Sequence, residues 1–145
     1  MEKKYSIFKT NYTIGFYDID HFKQINDKYG HTCGDMVLKN FAAILKELTR
    51  KEDIIARYGG EEFVALINYL DEIEIQRYIK RVKKTFENAT FLYKDSKIKI
   101  TFSAGITYRN KYESFIEAKK RADELLYEAK RKGRNKIILD NGIIF

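Results

Sequence analysis

From Tyr12 to Leu139 strand-type apolar runs and helix-type periodicity follow one another in the order β-α-α-β-β-α-β-α-β, and that order limits the fold more than any other feature. Tyr12 to Tyr17 is aromatic and β-branched on both faces, as in a buried strand, and it stops at Asp18. Phe22, Ile25 and Tyr29 recur at near-helical spacing up to Gly30, which reads as a short helix with a glycine stop. Val37, Phe41, Ile44, Leu45 and Leu48 keep an i, i+4, i+7, i+8, i+11 pattern, so Asp35 to Arg50 is predicted to be an amphipathic helix. Asp53 to Arg57 and Glu62 to Ile67 flank Tyr58-Gly59-Gly60-Glu61, as the strands of an antiparallel hairpin do. Ile75, Ile79, Val82 and Phe86 mark a helix over about 71 to 87. Ile98, Ile100, Phe102, Ala104 and Ile106 alternate as one half-buried strand, with Phe91 to Tyr93 placed to pair with it across Lys94-Asp95-Ser96. Phe115, Ala118, Ala122, Leu125, Leu126 and Ala129 give a last helix stopped at Gly133, and Lys136 to Leu139 closes the series as a strand. The fold class is therefore α/β, more narrowly an α+β sandwich in which helices cover a mainly antiparallel central sheet. No G-x-G-x-x-G follows a strand and no G-x-x-x-x-G-K-[ST] occurs, so neither of those nucleotide-binding devices is present.

The 145 residues suit one domain with a proper core. Lys and Arg number 28 against 21 Asp and Glu, a net charge of +7 that favours phosphate-bearing partners. The lysines are spread over helix faces rather than clustered with stacking aromatics, which argues against nucleic acid as the partner. Apolar runs such as Phe63 to Ile67 fall far short of the roughly 20 residues a membrane span needs. Met1-Glu2-Lys3-Lys4-Tyr5 lacks the apolar core of a signal peptide, and the single Cys33 can form no internal disulfide, so a cytoplasmic location is expected. Cys33 with His21 and His31 is not a zinc pattern, and a buried, inert thiol is expected there.

Three clusters carry chemistry. Asp18-Ile19-Asp20, at the end of a buried strand, offers two carboxylates and a backbone carbonyl as hard oxygen ligands for Mg²⁺, although acids in such places also serve as helix caps or solvated loop groups. In Gly59-Gly60-Glu61-Glu62 the glycines let a ligand approach the backbone, and the adjacent acids repel unless a cation or donor neutralises them. If the first strand and this hairpin are neighbours, Asp18 and Glu61 meet on one edge and supply the few carboxylates that Mg²⁺ with bound phosphate oxygens requires. Lys130-Arg131-Lys132-Gly133-Arg134, at a helix end, suits a phosphate and equally suits the helix dipole with a glycine cap.

Asp18-Ile19-Asp20-His21-Phe22-Lys23-Gln24-Ile25-Asn26-Asp27, Tyr29-Gly30-His31, Gly34-Asp35 and Arg57-Tyr58-Gly59-Gly60-Glu61-Glu62-Phe63 together resemble the GGDEF family of diguanylate cyclases. Ala122-Asp123, Leu126-Tyr127, Ala129-Lys130 and Gly133-Arg134-Asn135 resemble the same family's C-terminal motif, so that the match runs from about residue 12 to 139. The resemblance implies a palm-like nucleotidyl cyclase fold that condenses two GTP molecules into cyclic di-GMP and two pyrophosphates. It implies Mg²⁺ or Mn²⁺ held by Asp18, the carbonyl of Ile19 and Glu61. It implies guanine reading by Asn26 and Asp35, nucleotide approach over Gly59 and Gly60, and phosphate contacts from Lys130, Arg134 and the backbone N–H groups around Phe22 and Lys23. A carboxylate at Asp35 accepts from the guanine N–H groups and meets no such paired donors on adenine, while a helix N-cap is the plain alternative for this residue. Glu61 is the candidate for helping to deprotonate the attacking 3′-hydroxyl, and Glu62 for supporting the metal or its network. Arg50-Lys51-Glu52-Asp53 stands where the family has an inhibitory product site, with Arg81 as a further contact; a surface salt bridge is the alternative.

Because one such domain binds one GTP, turnover is expected to need a homodimer. The family's opening D-x-L-T-x-L-x-N-R segment is not found, and Met1 to Asn11 reads as the end of the helix that carries it. Residues 1–145 are accordingly expected to be a single catalytic domain without that segment and without a sensor. The competing functional reading is a domain of little or no turnover that captures cyclic di-GMP through Arg50 and Asp53.

Overall fold

The strand that ends at Asp18 is the axis of the molecule. In a computed structural model that describes residues 11–68 and 71–145, β1 (Tyr12–Ile19) is buried along its whole length. It pairs antiparallel with β3 (Glu62–Asn68) on one side and with β6 (Phe102–Arg109) on the other. With β2 (Ile54–Gly59) beyond β3 and β7 (Ile137–Leu139) parallel to β6, the sheet has the order β2-β3-β1-β6-β7. The expected mainly antiparallel sheet is present.

Alternation along β1 feeds two cores. Tyr17 and Ile19 face α1 (Phe22–Tyr29), α2 (His31–Leu48) and α3 (Glu72–Asn88), where they join Val37, Phe41, Ile79 and Phe86. Tyr12, Ile14 and Phe16 face α4 (Phe115–Arg131) and pack with Ala118, Ala122 and Leu126. Small residues bring α4 close to the sheet: a Cβ on Gly105 would stand 2.6 Å from the backbone nitrogen of Leu126. That close approach lays the C-terminal end of α4 beside the end of β1. A capping box at Asp71 and Glu74 starts α3, and Ser114 caps α4.

The structure corrects two sequence expectations. The helix expected from Asp35 begins at His31, because Gly30, at φ 92°, makes the break and lets the polar stretch after it wind directly into helix. The single strand expected from Ile98 to Ile106 is two: β5 (Ser96–Ile98) pairs with β4 (Phe91–Tyr93) in a separate hairpin, and β6 starts at Phe102. Ile98, Ile100 and Phe102 stay buried across the break, so the alternation persists while the backbone leaves one ladder and joins another. The reading of Met1 to Asn11 as the end of a helix falls on residues 1–10, outside the described residues. No described helix is long and apolar enough to cross a membrane.

Candidate nucleotide and metal site

Register brings the first two clusters together. Asp18, the penultimate residue of β1, lies directly opposite Glu62, the first residue of β3, and the N–H of Ile19 donates to the carbonyl of Glu61 at 3.3 Å. The hairpin turns at Gly60 with φ 50°, and Arg57 Nε holds the Gly60 carbonyl at 2.7 Å. The space where a Cβ would stand on Gly59 or Gly60 is open, so a ligand can reach this backbone. From the other side α4 presents Lys130, whose Nζ donates to Asp18 Oδ2 at 2.6 Å. Asp123, two turns before Lys130 on the same face of α4, is held by Lys119 at 2.8 Å, and the Lys119 ammonium lies over the rings of Tyr58 and Phe16.

The carboxylates are crowded and partly dry. Burial pushes the Asp18 carboxyl above its ordinary range; Lys130 pulls it back in part, and Glu61 and Asp20 add to the rise. Burial likewise raises Glu62, with the charge of Asp18 next, Lys130 opposing, and Asp123 and Glu61 adding. Among the described residues no group of three or more His, Cys, Asp or Glu side chains forms a metal cage. The donor chemistry, under-neutralised carboxylates beside an open glycine turn, fits instead a cation such as Mg²⁺ that takes most of its oxygens from water and substrate phosphates.

This crowding gives a signed pH dependence. Native Asp18 and Glu62 hold protons at higher pH than they do in the unfolded chain, so through the window between the unfolded and the raised native pKa values stability falls as pH rises. In the absence of divalent cations, the D18N variant is expected to melt about 2–4 °C higher at pH 7 than the parent and to show a flatter profile through that window. Added Mg²⁺ should raise the melting temperature of the parent more than that of the variant. Thermal scans from pH 4 to 8 test this, and a variant that melts lower at pH 7 with an unchanged slope refutes the crowding argument.

Asp20 belongs to the frame of the site rather than to its ligand set. Although 4% exposed, it is saturated: Ser103 Oγ donates to Oδ1 at 2.7 Å, and Thr101 Oγ1 and the backbone N–H of Asn135 donate to Oδ2 at 2.6 and 2.9 Å. Of the two carboxylates in Asp18-Ile19-Asp20, only Asp18 keeps the capacity to bind a cation. The sequence signal for this role is Thr101 and Ser103, hydroxyls at alternate positions between the apolar residues Ile100, Phe102 and Ala104. Asp123, in the Ala122-Asp123 motif, gains a position beside the site only from the structure.

Phe22 and Lys23 begin α1, after a sharp turn at His21 with φ 57° and no side-chain cap, so the first-turn N–H groups are not taken up by a capping side chain. Such an uncapped turn at the end of β1 suits an anion. Asn26 lies over Gly34 of α2, where a Cβ would stand 2.9 Å from Asn26 Cγ and 3.2 Å from Phe22 Cζ. Asn26 Oδ1 is buried against Gly34 with no hydrogen-bond partner. Asp35 follows Gly34 inside the helix and is exposed; since α2 starts at His31, the capping alternative falls away. Lys130 is at the site, whereas Arg134 lies beyond the end of α4, in the turn held by Asp20, so the two do not share a helix face. Cys33 is fully buried in the core, as expected, and burial pushes its thiol up.

Arg50 and Asp53 lie elsewhere. Both oxygens of the Asp53 carboxylate are used: Oδ2 accepts from the N–H and Nε of Arg50 at 2.9 and 3.3 Å, and Oδ1 from the N–H of Asn68 at 3.0 Å. Its side chain is 1% exposed, so Asp53 clasps the start of the hairpin and offers little to a ligand. Arg50 Nη2 donates to the Asn68 carbonyl and Arg81 Nη2 to the Leu48 carbonyl, each at 2.9 Å. Both arginines line a groove of about 340 Å³ with Arg77 and Tyr78. The surface salt bridge of the plain reading exists, and the groove exists beside it.

Residues 3–136 match the family described as diguanylate cyclase, GGDEF domain. Over 132 residues the chain is 42% identical to diguanylate cyclase A of Treponema denticola, covering 90% of this chain and 36% of that protein. Over 120 residues it is 42% identical to diguanylate cyclase DgcP of Pseudomonas aeruginosa, covering 83% of this chain and 18% of that protein. The chain thus spans a minor part of these relatives. Its fold is similar to the GGDEF domain of DgcB from Caulobacter crescentus, solved in complex with cyclic di-GMP, with a TM-score of 0.87, 27% identity, and coverage of 97% of this chain and 85% of that one. Matched by that family over residues 3–136, the chain belongs to the diguanylate cyclase GGDEF-domain family.

Proposed function

We propose that this chain condenses two GTP molecules into cyclic di-GMP with release of two pyrophosphates. The observation that carries the reading is the meeting of Asp18, Glu61 and Glu62 with Lys130 at one sheet edge, in front of an uncapped helix start and an open glycine turn. Asp18, the Ile19 carbonyl and Glu61 would hold Mg²⁺ or Mn²⁺. When bound, the cation supplies neutralisation of charge on the α-phosphate and the leaving pyrophosphate. Lys130 and Arg134, with the N–H groups of Phe22 and Lys23, grip the triphosphate. Asn26 and Asp35 hold the base, the amide and the exposed carboxylate matching the acceptor and donor edge of guanine. The 3′-oxygen of one GTP bonds to the α-phosphorus of the other, the bond to pyrophosphate breaks, and Glu61 takes the hydroxyl proton.

Each site holds one GTP, so two copies face each other and turnover rises faster than linearly with protein concentration. GTP supply and a reduced, buried Cys33 are consistent with a cytoplasmic setting. The groove with Arg50, Arg77 and Arg81 supports product inhibition, its guanidinium groups being the elements suited to guanine and phosphate. With Asp53 sealed, Arg50 and Arg81 carry that site. Capture of cyclic di-GMP without turnover would use the same groove and draws less support, since Asp18, Glu61, Glu62, Lys130 and Arg134 are all present as a cyclase requires.

The test is product analysis by chromatography after incubating concentrated protein with Mg²⁺ or Mn²⁺ and either GTP or ATP. Cyclic di-GMP from GTP, with no cyclic dinucleotide from ATP, is the expected result, and none from GTP at any concentration overturns the reading. In the same assay R50A should keep the initial rate and weaken inhibition by the product about tenfold, roughly the effect of losing one charged hydrogen bond, so that the final product level rises; an unchanged plateau removes the groove from regulation.

A further inference from the structure

We infer that Asp20 is a positioning residue for the triphosphate: by holding the Asn135 N–H it sets the left-handed turn that Arg134 occupies after α4. The inference rests on the reading of Arg134 as a phosphate contact. α4 stops in a Schellman arrangement, with the N–H of Gly133 donating to the Lys130 carbonyl at 3.3 Å and that of Arg134 to the Ala129 carbonyl at 3.0 Å. Gly133, at φ 114°, suits this stop. The next two residues do not suit it as well: Arg134 at φ 65° and Asn135 at φ 50° are consecutive non-glycine residues in the left-handed region, a conformation that surrounding contacts must hold. Lys136 Nζ donates to the Arg134 carbonyl at 3.3 Å and Lys83 Nζ to the Asn135 carbonyl at 3.4 Å, both exposed bonds from flexible side chains, whereas the Asp20 carboxylate, itself oriented by Thr101 and Ser103, is a fixed acceptor for the Asn135 N–H at 2.9 Å.

The end of α4 is therefore tied to the end of β1 at two points, Lys130 to Asp18 and Asn135 to Asp20. The first tie involves a side chain given above a role in the chemistry. The second spends the Asp20 carboxylate wholly on backbone geometry, and its position next to the site explains why a carboxylate is buried there at all. Loosened, the turn can relax toward ordinary dihedrals and carry Arg134 away, with the chemistry of Asp18 and Glu61 left in place.

Binding of 3′-deoxy-GTP, which lacks the attacking hydroxyl, measured by calorimetry with Mg²⁺ reads this without turnover. R134A and D20N are each expected to weaken binding about tenfold, as for a charge-assisted hydrogen bond, and the double variant to be no weaker than about tenfold, because Asp20 acts through Arg134. N135G, which adopts the left-handed conformation readily, should restore most of the affinity lost in D20N, a recovery that a merely structural defect would not show. If R134A binds as tightly as the parent, the phosphate reading of Arg134 falls and the inference with it. If R134A weakens binding while D20N does not, or if the losses multiply to about a hundredfold, only the positioning role falls. Should D20N fail to fold, S103A, which removes one donor that orients the same carboxylate, carries the test: a loss of about threefold that vanishes in the R134A background supports the inference, and one that persists there overturns it.

Discussion

Glu61→Gln is expected to leave the fold and melting temperature unchanged while lowering cyclic di-GMP formation from GTP by about a thousandfold, the upper range for removing one preorganised charge-stabilising group. The fold should survive because the turn does not depend on this side chain. It is the backbone carbonyl of Glu61 that takes the Ile19 N–H, and the Gly60 carbonyl that takes Arg57. An amide of the same shape keeps those bonds. It loses the anionic oxygen that would hold the cation and the basicity that would accept the 3′-hydroxyl proton. Binding of 3′-deoxy-GTP in the absence of divalent cations should be nearly unaffected, because base and phosphate contacts lie on other residues. Rates retained within a factor of about three would remove Glu61 from the chemistry and leave Asp18 and Glu62 as the only carboxylates able to carry it. A rate loss accompanied by a large fall in melting temperature would instead assign Glu61 to the turn.

What could be read from the sequence follows from what side-chain periodicity encodes. The two-sided apolar run of Tyr12 to Tyr17 and the helical spacing of Val37 to Leu48 report what is buried, and a fully buried strand and an amphipathic helix stand there, the helix starting four residues earlier than expected. Register was legible through chemistry, since Asp18 and the paired glutamates make sense together only on one edge, and Asp18 does face Glu62. The break between β5 and β6 was not legible because Ile98, Ile100 and Phe102 bury the same face on both sides of it. The role of Asp20 was hidden for a different reason. Its partners lie 81, 83 and 115 residues away, and nothing local distinguishes a carboxylate awaiting a cation from one already surrounded by donors. The same ambiguity covers Asp53, whose spacing from Arg50 suits a ligand site and an internal clasp equally. Spacing brings groups within reach; long-range packing decides whether their valences are still free.

The second large effect is expected far from any charge, at Phe41. This fully buried ring meets Phe63 and Phe86 at centroid distances of 5.0 and 4.7 Å and stands at 6.5 and 5.7 Å from Tyr17 and Phe102. Tyr17 precedes Asp18, Phe63 follows Glu62, and Phe102 pairs with Ile19, so the floor under the carboxylates is the aromatic cluster centred on Phe41. Phe41→Ala removes that floor's central support and should destabilise the domain by about 3–5 kcal/mol, lowering its melting temperature by roughly 10 °C. Phe41→Leu, which retains much of the volume, should lose less than about half as much. Activity should fall further than the unfolded fraction accounts for, because a cavity beneath Tyr17 and Phe63 lets the strands that carry Asp18 and Glu62 shift relative to each other. Urea titration gives the stability change, and the cyclase rate measured well below the variant's midpoint gives the excess loss. If F41A costs under about 1 kcal/mol, the cluster can collapse around the gap and the floor is not rigid. If activity only tracks the folded fraction, the carboxylates owe their alignment to the strand ladder alone, and the aromatic layer stabilises the fold without setting the site.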